Sequence, residues 1–210
     1  AINLYISSME RLLIKLELDI PNLGRLGFSL RRIKMNVKYM NNVLDGLLEA
    51  TKLDQGIVAP RTQTINLKQF SKEIVRQYKE DATELGLKLD FKPLISGDLF
   101  VKTDPQLLER ILRNLISNAL KFTDQGGGVR LKLKKNNSSV TLSVVDTGKG
   151  IPLKLQGKIF DEFSQVSSRV GVIENTGLGL GLSIAKRLTS KIGGELIIRS
   201  TENLGSIFSI

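Results

Sequence analysis

Apolar residues in the first quarter of the chain recur at alternating spacings of four and three. They form one run over residues 2–16 and another over residues 33–47 (Ile2, Ile6, Met9, Leu13 and Leu16; Ile33, Val37, Met40, Leu44 and Leu47). This spacing places the apolar side chains on one stripe of a helix, as in a coiled coil or an antiparallel bundle. Because Pro21 and Gly24 break the helix between the runs, we expect a helical hairpin domain over residues 1–60.

The expected hairpin exposes more apolar surface than it can bury alone. Two helices of this length cannot cover two apolar faces by themselves. The long seam favours a homodimer through the N-terminal hairpin, in which two hairpins form a four-helix bundle. The alternative is a hairpin that packs on the remainder of its own chain.

The pattern changes near residue 64, which predicts a second domain over residues 61–210. We expect helices over residues 67–84, from the N-cap Asp104 to Phe122, and over residues 181–192. Strands are expected at residues 65–67, 87–91, 99–103, 129–133, 140–145, 195–199 and 206–210, with residues 152–178 irregular. The fold class is therefore α+β: the hairpin is followed by an α/β sandwich with one mixed sheet and helices on one face.

Composition excludes several classes of function. The chain has 210 residues with neither Cys nor His, so disulfides and most zinc sites are excluded, whereas Mg²⁺ remains possible. It has no secretory signal pattern and no apolar run near the roughly 18 residues that cross a bilayer. The net charge is +10, but the basic residues are scattered and aromatics make up only 5%. We therefore expect no nucleic-acid partner.

The helix that ends at Phe122 has two different faces. Asn114, Asn118 and Lys121 fall at i, i+4 and i+7, so they share one face. A carboxamide oxygen can ligate Mg²⁺, and an ammonium group can hold a phosphate. The opposite stripe is apolar and predicts burial (Leu108, Ile111, Leu112, Leu115 and Ala119). A plain solvated polar face is the alternative for the two amides and the lysine.

A turn that contains Asp146 follows an apolar strand. Gly148 and Gly150 let the backbone come close to a ligand, and an Asp at a strand end can accept a hydrogen bond from an exocyclic amine. An ordinary Asp-Gly turn is the alternative.

A glycine run at residues 177–182 opens the last helix. Free N–H groups at a helix N-terminus bind phosphates. The run lacks the Gly-Lys-Ser/Thr end of a Walker A loop, and it follows an irregular stretch rather than a strand. A flexible loop is the alternative. Residues 165–176 have the composition of a mobile lid, for which Phe160 and Phe163 are either anchors or ordinary core residues.

Four segments in this order resemble the N, G1, F and G2 boxes of sensor histidine kinases. They are Asn114-Leu-Ile-Ser-Asn118-Ala-Leu-Lys121-Phe122, Asp146-Thr-Gly148-Lys-Gly150, Phe160-Asp-Glu-Phe163 and Gly177-Leu-Gly179-Leu-Gly181. Residues 1–54 resemble the family's dimerisation and phosphoacceptor hairpin, including the stretch from Val43 to Gly56. Residues 64–210 resemble its catalytic ATP-binding domain, which has the Bergerat fold.

The resemblance implies roles for individual residues. Asn118 matches the magnesium-binding Asn, Lys121 a phosphate-contacting Lys, and Asp146 the Asp that reads the adenine amino group. The remaining expected nucleotide-binding residues are Asn114, Phe122, Gly148, Gly150, Ile151, Arg169, Thr176, Gly177, Gly179, Leu180, Gly181 and Leu182. Among these, Arg169 stands in for a lid Arg that some members carry where this chain has Gln165.

The main departure from the family is the phosphoacceptor. The family carries a His box in its first hairpin helix, and residues 1–4 resemble the stretch that follows this box. We expect the His just upstream of Ala1, and this chain alone to bind nucleotide without autophosphorylation.

The resemblance implies a cytoplasmic kinase core, whose parent protein could be anchored in a membrane. ATP and Mg²⁺ are the expected cofactors, and the γ-phosphoryl passes to the His and then to an Asp of a response regulator receiver domain. The alternatives are a pseudokinase, which would act as a nucleotide-binding interaction module, and a MutL-like or gyrase-like ATPase clamp.

Overall fold

A computed structural model describes residues 59–164 and 179–210, together with positions 33, 37, 40, 44, 46–48, 51 and 55. The expectations for the first hairpin helix, for the Pro21 break and for residues 165–178 lie outside the described residues. Between residues 33 and 51, the described positions are all helical, as the second apolar run predicts. None of the described helices has the length and apolar character needed to span a bilayer.

Residues 63–209 contain both helices and strands in the part that the structure describes. In chain order these are β1 (Gln63–Asn66), α1 (Leu67–Gln77), α2 (Lys79–Glu84), β2 (Lys88–Leu94), β3 (Phe100–Thr103), α3 (Pro105–Phe122), β4 (Gly128–Lys135), β5 (Val140–Asp146), α4 (Leu153–Gln156), a 3₁₀ turn (Lys158–Phe160), α5 (Gly181–Lys191), β6 (Ile197–Thr201) and β7 (Gly205–Ser209). The expected strands and the helices that end at Phe122 and near Ile192 are confirmed, with boundaries that shift by a few residues.

Five strands form a mixed sheet in the order β2-β4-β5-β7-β6. The β2–β4 pair is parallel, and the other neighbours are antiparallel. The expectation of one sheet is wrong in one respect, because β1 and β3 pair only with each other in a separate two-stranded sheet. In the chain they enclose α1, α2 and β2, and next to their pairing Leu67 N donates to the Leu99 carbonyl oxygen at 2.8 Å.

The core lies between one face of the five-stranded sheet and helices α1, α3 and α5. Alternate residues of β4 point into it, and Leu131 and Leu133 are fully buried there. Asp104 caps α3 as expected, since its side chain accepts from the backbone N–H of Gln106 and Leu107. The sandwich therefore holds α3 rigidly against the sheet.

Two local expectations are wrong. The single helix expected over residues 67–84 is divided at Tyr78, where a ψ of 3° lies outside the helical range. The Tyr78 N–H donates a hydrogen bond to the Val75 carbonyl oxygen, three residues earlier. Because the helix is divided, Ala82 of α2 is buried in the core just before β2 begins. The stretch after residue 152 is not wholly irregular, because α4 and the 3₁₀ turn lie within it.

Candidate functional site

Helix α3 has the two faces that its sequence predicts. The apolar stripe is confirmed: Leu108, Ile111, Leu112, Leu115 and Ala119 are all buried, each with 4% or less of its surface exposed. On the other side, Asn114 and Asn118 are half-buried and Lys121 is exposed. The amides therefore lie in a partly shielded position, which a solvated face would not give them.

The amino end of α5 meets the amide face of α3. A methyl group placed on Gly181 would lie 3.7 Å from Asn114 Oδ1 and 4.0 Å from Asn118 Nδ2. The N-cap residue Leu180 makes no side-chain capping bond, and the first N–H groups of α5 have no partner within the helix itself. The structure thus brings two amide side chains beside the positive end of a helix dipole.

The backbone ahead of α5 is tightly constrained. Gly179 has a φ of +71°, and a Cβ there would lie 2.5 Å from the Ser164 carbonyl oxygen. Only glycine avoids that collision at such a φ. Leu180 is buried, with 3% exposed, and packs beside Gly46 of the N-terminal helical stretch. This contact joins the start of α5 to the first part of the chain.

The carboxyl end of α3 meets the turn that follows β5. Lys149 N donates to the Phe122 carbonyl oxygen at 3.2 Å, and a Cβ on Gly148 would collide with that oxygen. A Cβ on Gly150, whose φ is +62°, would collide with the Thr201 carbonyl oxygen. Both glycines are therefore required by the close approach of the chain's own backbone, whereas the expected approach to a ligand stays a prediction.

Asp146 lies at the base of this turn with only 7% of its surface exposed. Its Oδ1 atom accepts from Gly148 N at 2.9 Å and from Ser206 N at 3.2 Å. Burial raises the pKa of the carboxyl above its ordinary range, and the two backbone N–H groups offset part of this rise. Both N–H groups donate to Oδ1, and within the described part of the chain no hydrogen bond reaches the other oxygen.

Aromatic side chains flank the two ends of the site. Phe122 is 46% exposed, and the Lys121 ammonium lies 4.8 Å from its ring centre. Phe160 packs against the core, and Lys186 lies 5.1 Å from its ring centre. Phe163 is 57% exposed at a φ of 61°, so it is not a core residue.

Three polar residues without a sequence signal also belong to this region. Ser206 binds Asp146, as described, and Ser200 and Gln156 bind the backbone of Ile151. Their partners lie as far as 60 residues away along the chain, so only the folded sheet reveals them. The expected site residues Arg169, Thr176 and Gly177 lie outside the described residues.

The side-chain oxygens of this region fit a hard cation that takes most of its ligands from water and phosphate and only a few from the protein. Among the described residues, no cluster of three or more His, Cys, Asp or Glu side chains could form an all-protein metal cage. Mg²⁺ takes oxygen ligands and usually keeps several waters, so a few side-chain carbonyl oxygens beside a helix N-terminus fit such an ion. Asn118 and Asn114 can supply such oxygens.

The family comparison agrees with this geometry. The model of the histidine kinase-, DNA gyrase B- and HSP90-like ATPases matches residues 103–210. The chain belongs to this family, and its relatives place it among the catalytic ATPase domains of sensor histidine kinases.

Two curated relatives and one solved structure illustrate the likeness. The circadian input-output histidine kinase CikA of Synechococcus elongatus is 31% identical over 82% of this chain and 23% of its own length. The adaptive-response sensory kinase SasA of Crocosphaera subtropica is 33% identical over 81% of this chain and 44% of its own length. The chain thus spans less than half of either relative.

The solved structure is full-length ShkA in complex with AMPPNP. Its TM-score is 0.72 over 94% of this chain and 40% of ShkA. At 23% identity, the match shows a shared fold.

Proposed function

We propose that this chain binds Mg·ATP between α3, the turn after β5 and the start of α5. The observation that carries the proposal is the meeting of these three elements. Asn114 and Asn118 lie beside Gly181, and the end of α3 bonds the turn of Asp146. Each element supplies a different group: amide oxygens, a buried carboxylate and free helix N–H groups. A nucleoside triphosphate with its metal offers the matching base, cation and phosphates.

The adenine amino group is assigned to Asp146. Its free oxygen is an acceptor for an N–H donor, and its burial makes that hydrogen bond stronger than one in water. Gly148, Gly150 and Ile151 form the wall beside the base, and the exposed ring of Phe122 is available to cover it.

The phosphates are assigned to Lys121 and to the backbone N–H groups of residues 179–182. Asn118 would hold Mg²⁺ through its amide oxygen, with Asn114 one turn earlier. The cation would neutralise charge on the phosphates. Arg169, Thr176 and Gly177, which lie outside the described residues, belong to this proposal by their place in the sequence alone. ShkA, which shares this fold, was solved with AMPPNP.

The parent protein is proposed to transfer the γ-phosphoryl group to a histidine upstream of Ala1. The bond between the γ-phosphorus and its bridging oxygen breaks, a bond to an imidazole nitrogen forms, and ADP leaves. The phosphoryl group then passes to an Asp of a response regulator in the cytoplasm. This chain has no His, so it should accept no label from γ-labelled ATP.

The N-terminal helical stretch is proposed to form a homodimer. Described members of its apolar stripe are exposed in the single chain: Ile33 by 49%, Met40 by 60%, Leu44 by 56% and Leu47 by 41%. A soluble helix covers such a stripe by packing against a partner. The contact between Gly46 and Leu180 places this stretch against the start of α5, beside the proposed phosphate site.

Calorimetric titration with ADP tests the proposed nucleotide site. We expect Mg²⁺ to strengthen ADP binding to the wild type and to have little effect on Asn118→Ala. Ser117→Ala is the matched control, because Ser117 lies next to Asn118 on the exposed side of α3. An ADP affinity that neither Mg²⁺ nor Asn118→Ala changes would refute the assignment of the metal to Asn118.

A phosphorylation assay on a longer protein, which includes the residues before Ala1, distinguishes the kinase from the pseudokinase. Phosphorylation of a histidine in that protein supports the kinase. Nucleotide binding without phosphoryl transfer supports the pseudokinase, for which the absence of His from these 210 residues is the motivating observation.

A further inference from the structure

Two side chains fasten the turn after β5 to strand β6. The Ser200 hydroxyl oxygen accepts a hydrogen bond from Ile151 N at 2.8 Å. The Gln156 amide donates to the Ile151 carbonyl oxygen at 2.8 Å and to the Ser200 carbonyl oxygen at 2.9 Å. Both backbone polar groups of Ile151 are therefore bound by these two side chains.

The same hydroxyl group continues the network toward Asp146. Ser200 Oγ donates to the Gly205 carbonyl oxygen at 3.0 Å and lies 2.9 Å from Ser206 Oγ. With its own proton used on Gly205, it can accept the proton of the Ser206 hydroxyl. Ser206 N in turn donates to Asp146 Oδ1. A continuous path of hydrogen bonds and one residue's backbone thus joins Ile151 to the buried carboxylate.

The rest of the turn is held by its backbone. Lys149 N donates to the Phe122 oxygen at 3.2 Å, and Asn203 N donates to the Lys149 oxygen at 2.7 Å. These bonds fix the middle of the turn, whereas Ser200 and Gln156 fix its end and connect it to α4. Removal of either side chain would leave a polar backbone group of Ile151 without its partner.

We propose that Ser200 and Gln156 are positioning residues that set the selectivity of the site for a base with an exocyclic amine. This inference rests on the proposed function, in which Asp146 receives that amine. The orientation of the carboxylate depends on the N–H groups of Gly148 and Ser206. Ser206 is bound to Ser200 through its hydroxyl group, and Gly148 lies in the turn whose end Ser200 and Gln156 hold at Ile151. A shift of the network weakens the hydrogen bond to the amine but leaves the phosphate contacts at α5 in place.

The test compares ADP with IDP, which carries an oxo group in place of the adenine amine. Each nucleotide is titrated calorimetrically into the wild type, Ser200→Val and Ser200→Thr. Val and Thr have the same shape and both suit a strand, so they differ in the hydroxyl alone. We expect Ser200→Val to lose roughly tenfold in ADP affinity with little change for IDP. Ser200→Thr should keep the wild-type ratio of the two affinities.

A second variant and a control complete the design. Gln156→Met keeps the length of the side chain without its N–H donors, and it should lower the ADP-to-IDP ratio in the same direction. Ser143→Val is the control, because it removes a strand hydroxyl that binds Ser209 at 2.8 Å outside the network. It should leave the ratio unchanged.

The outcomes separate this inference from the proposed function. A wild type that does not distinguish ADP from IDP contradicts the proposed role of Asp146. A wild type that distinguishes them, with the ratio retained in Gln156→Met and in Ser200→Val, overturns the positioning role. Equal losses for both nucleotides would also overturn it, since they would show only a structural effect. If Ser200→Val fails to fold, the ADP-to-IDP ratio of Gln156→Met decides the question.

Discussion

Substitution of Asp146 by Asn separates ligand recognition from folding. The Asn carbonyl oxygen can accept the same two backbone N–H groups that Oδ1 accepts, from Gly148 and Ser206. Its amide NH₂ then occupies the place of the free carboxylate oxygen. A donor would face the donor of the adenine amine, and the charge-assisted hydrogen bond would be lost.

The size of the effect follows from the burial of this group. A hydrogen bond to a charged partner contributes about 1.5–3 kcal/mol. At about 1.4 kcal/mol for each tenfold change, Asp146→Asn should weaken ADP binding by roughly 10- to 100-fold. Folding should not suffer, because the variant also removes a buried charge that burial disfavours. The unfolding midpoint of the ligand-free variant should equal or exceed that of the wild type at neutral pH.

Calorimetric titration with ADP and thermal unfolding without ligand measure the two effects. Ser143→Asn, three residues earlier on the same strand, controls for a new amide in β5. An Asp146→Asn protein that keeps wild-type affinity for ADP would refute the assignment of the amine. A variant that binds poorly because its unfolding midpoint has dropped would refute the claim that the carboxylate serves recognition at the expense of stability.

Further predictions concern pH, the turn glycine and a buried hydroxyl. Because burial raises the pKa of Asp146, the wild type should begin to lose affinity for ADP, as the pH falls, at a pH above the ordinary carboxyl range. The Asp146→Asn protein has no carboxyl at this position and should show a flatter pH profile. The raised pKa of Asp146 stabilises the folded state below the unfolded-state pKa, and this stabilisation is lost as the pH rises through the folded-state pKa. The greater free energy of unfolding of Asp146→Asn relative to the wild type should therefore disappear in acid. Gly150→Ala should cost at least about 2 kcal/mol in denaturant titration, because its Cβ meets Thr201, whereas Gly157→Ala should be neutral or stabilising at its φ of −70° with open space around it. Within the described part of the chain the fully buried Ser71 hydroxyl has no hydrogen-bond partner, so Ser71→Ala should raise the free energy of unfolding by about 1 kcal/mol, and no rise would contradict this reading.

Local patterns were sufficient to predict the elements that bury an apolar face. The stripe of α3 and its Asp104 cap depend on residues within a few turns of one another, and the structure confirms both. The alternation of β4 and β5 likewise depends on which side of each strand is buried. Such signals lie within one element, so the sequence displays them directly.

Features that depend on distant partners could not be predicted in the same way. The helix over residues 67–84 is uniformly amphipathic in sequence, yet it divides at Tyr78 where Ala82 must reach the core. The pairing of β1 with β3 excludes both from the main sheet, although each has ordinary strand composition. The braced network around Ile151 is built from common Ser and Gln residues that have no local signature.

The candidate site shows the same division. Asp146 was predictable because it follows a strand and precedes two glycines, whereas its bond from Ser206 arises from the neighbouring strand β7. The closeness of Asn114 and Asn118 to Gly181 likewise results from the way α5 packs on α3. Residue types were thus sufficient to suggest the proposed ligand chemistry, whereas the arrangement of the groups required the fold.

A crystal structure of the chain with Mg²⁺ and AMPPNP tests the central claim most directly. The account predicts the base against the free oxygen of Asp146, the cation at the Asn118 amide oxygen, and the phosphates at the N–H groups that open α5. A nucleotide bound at another surface, or one whose base and phosphates do not reach both Asp146 and Asn118, would contradict it.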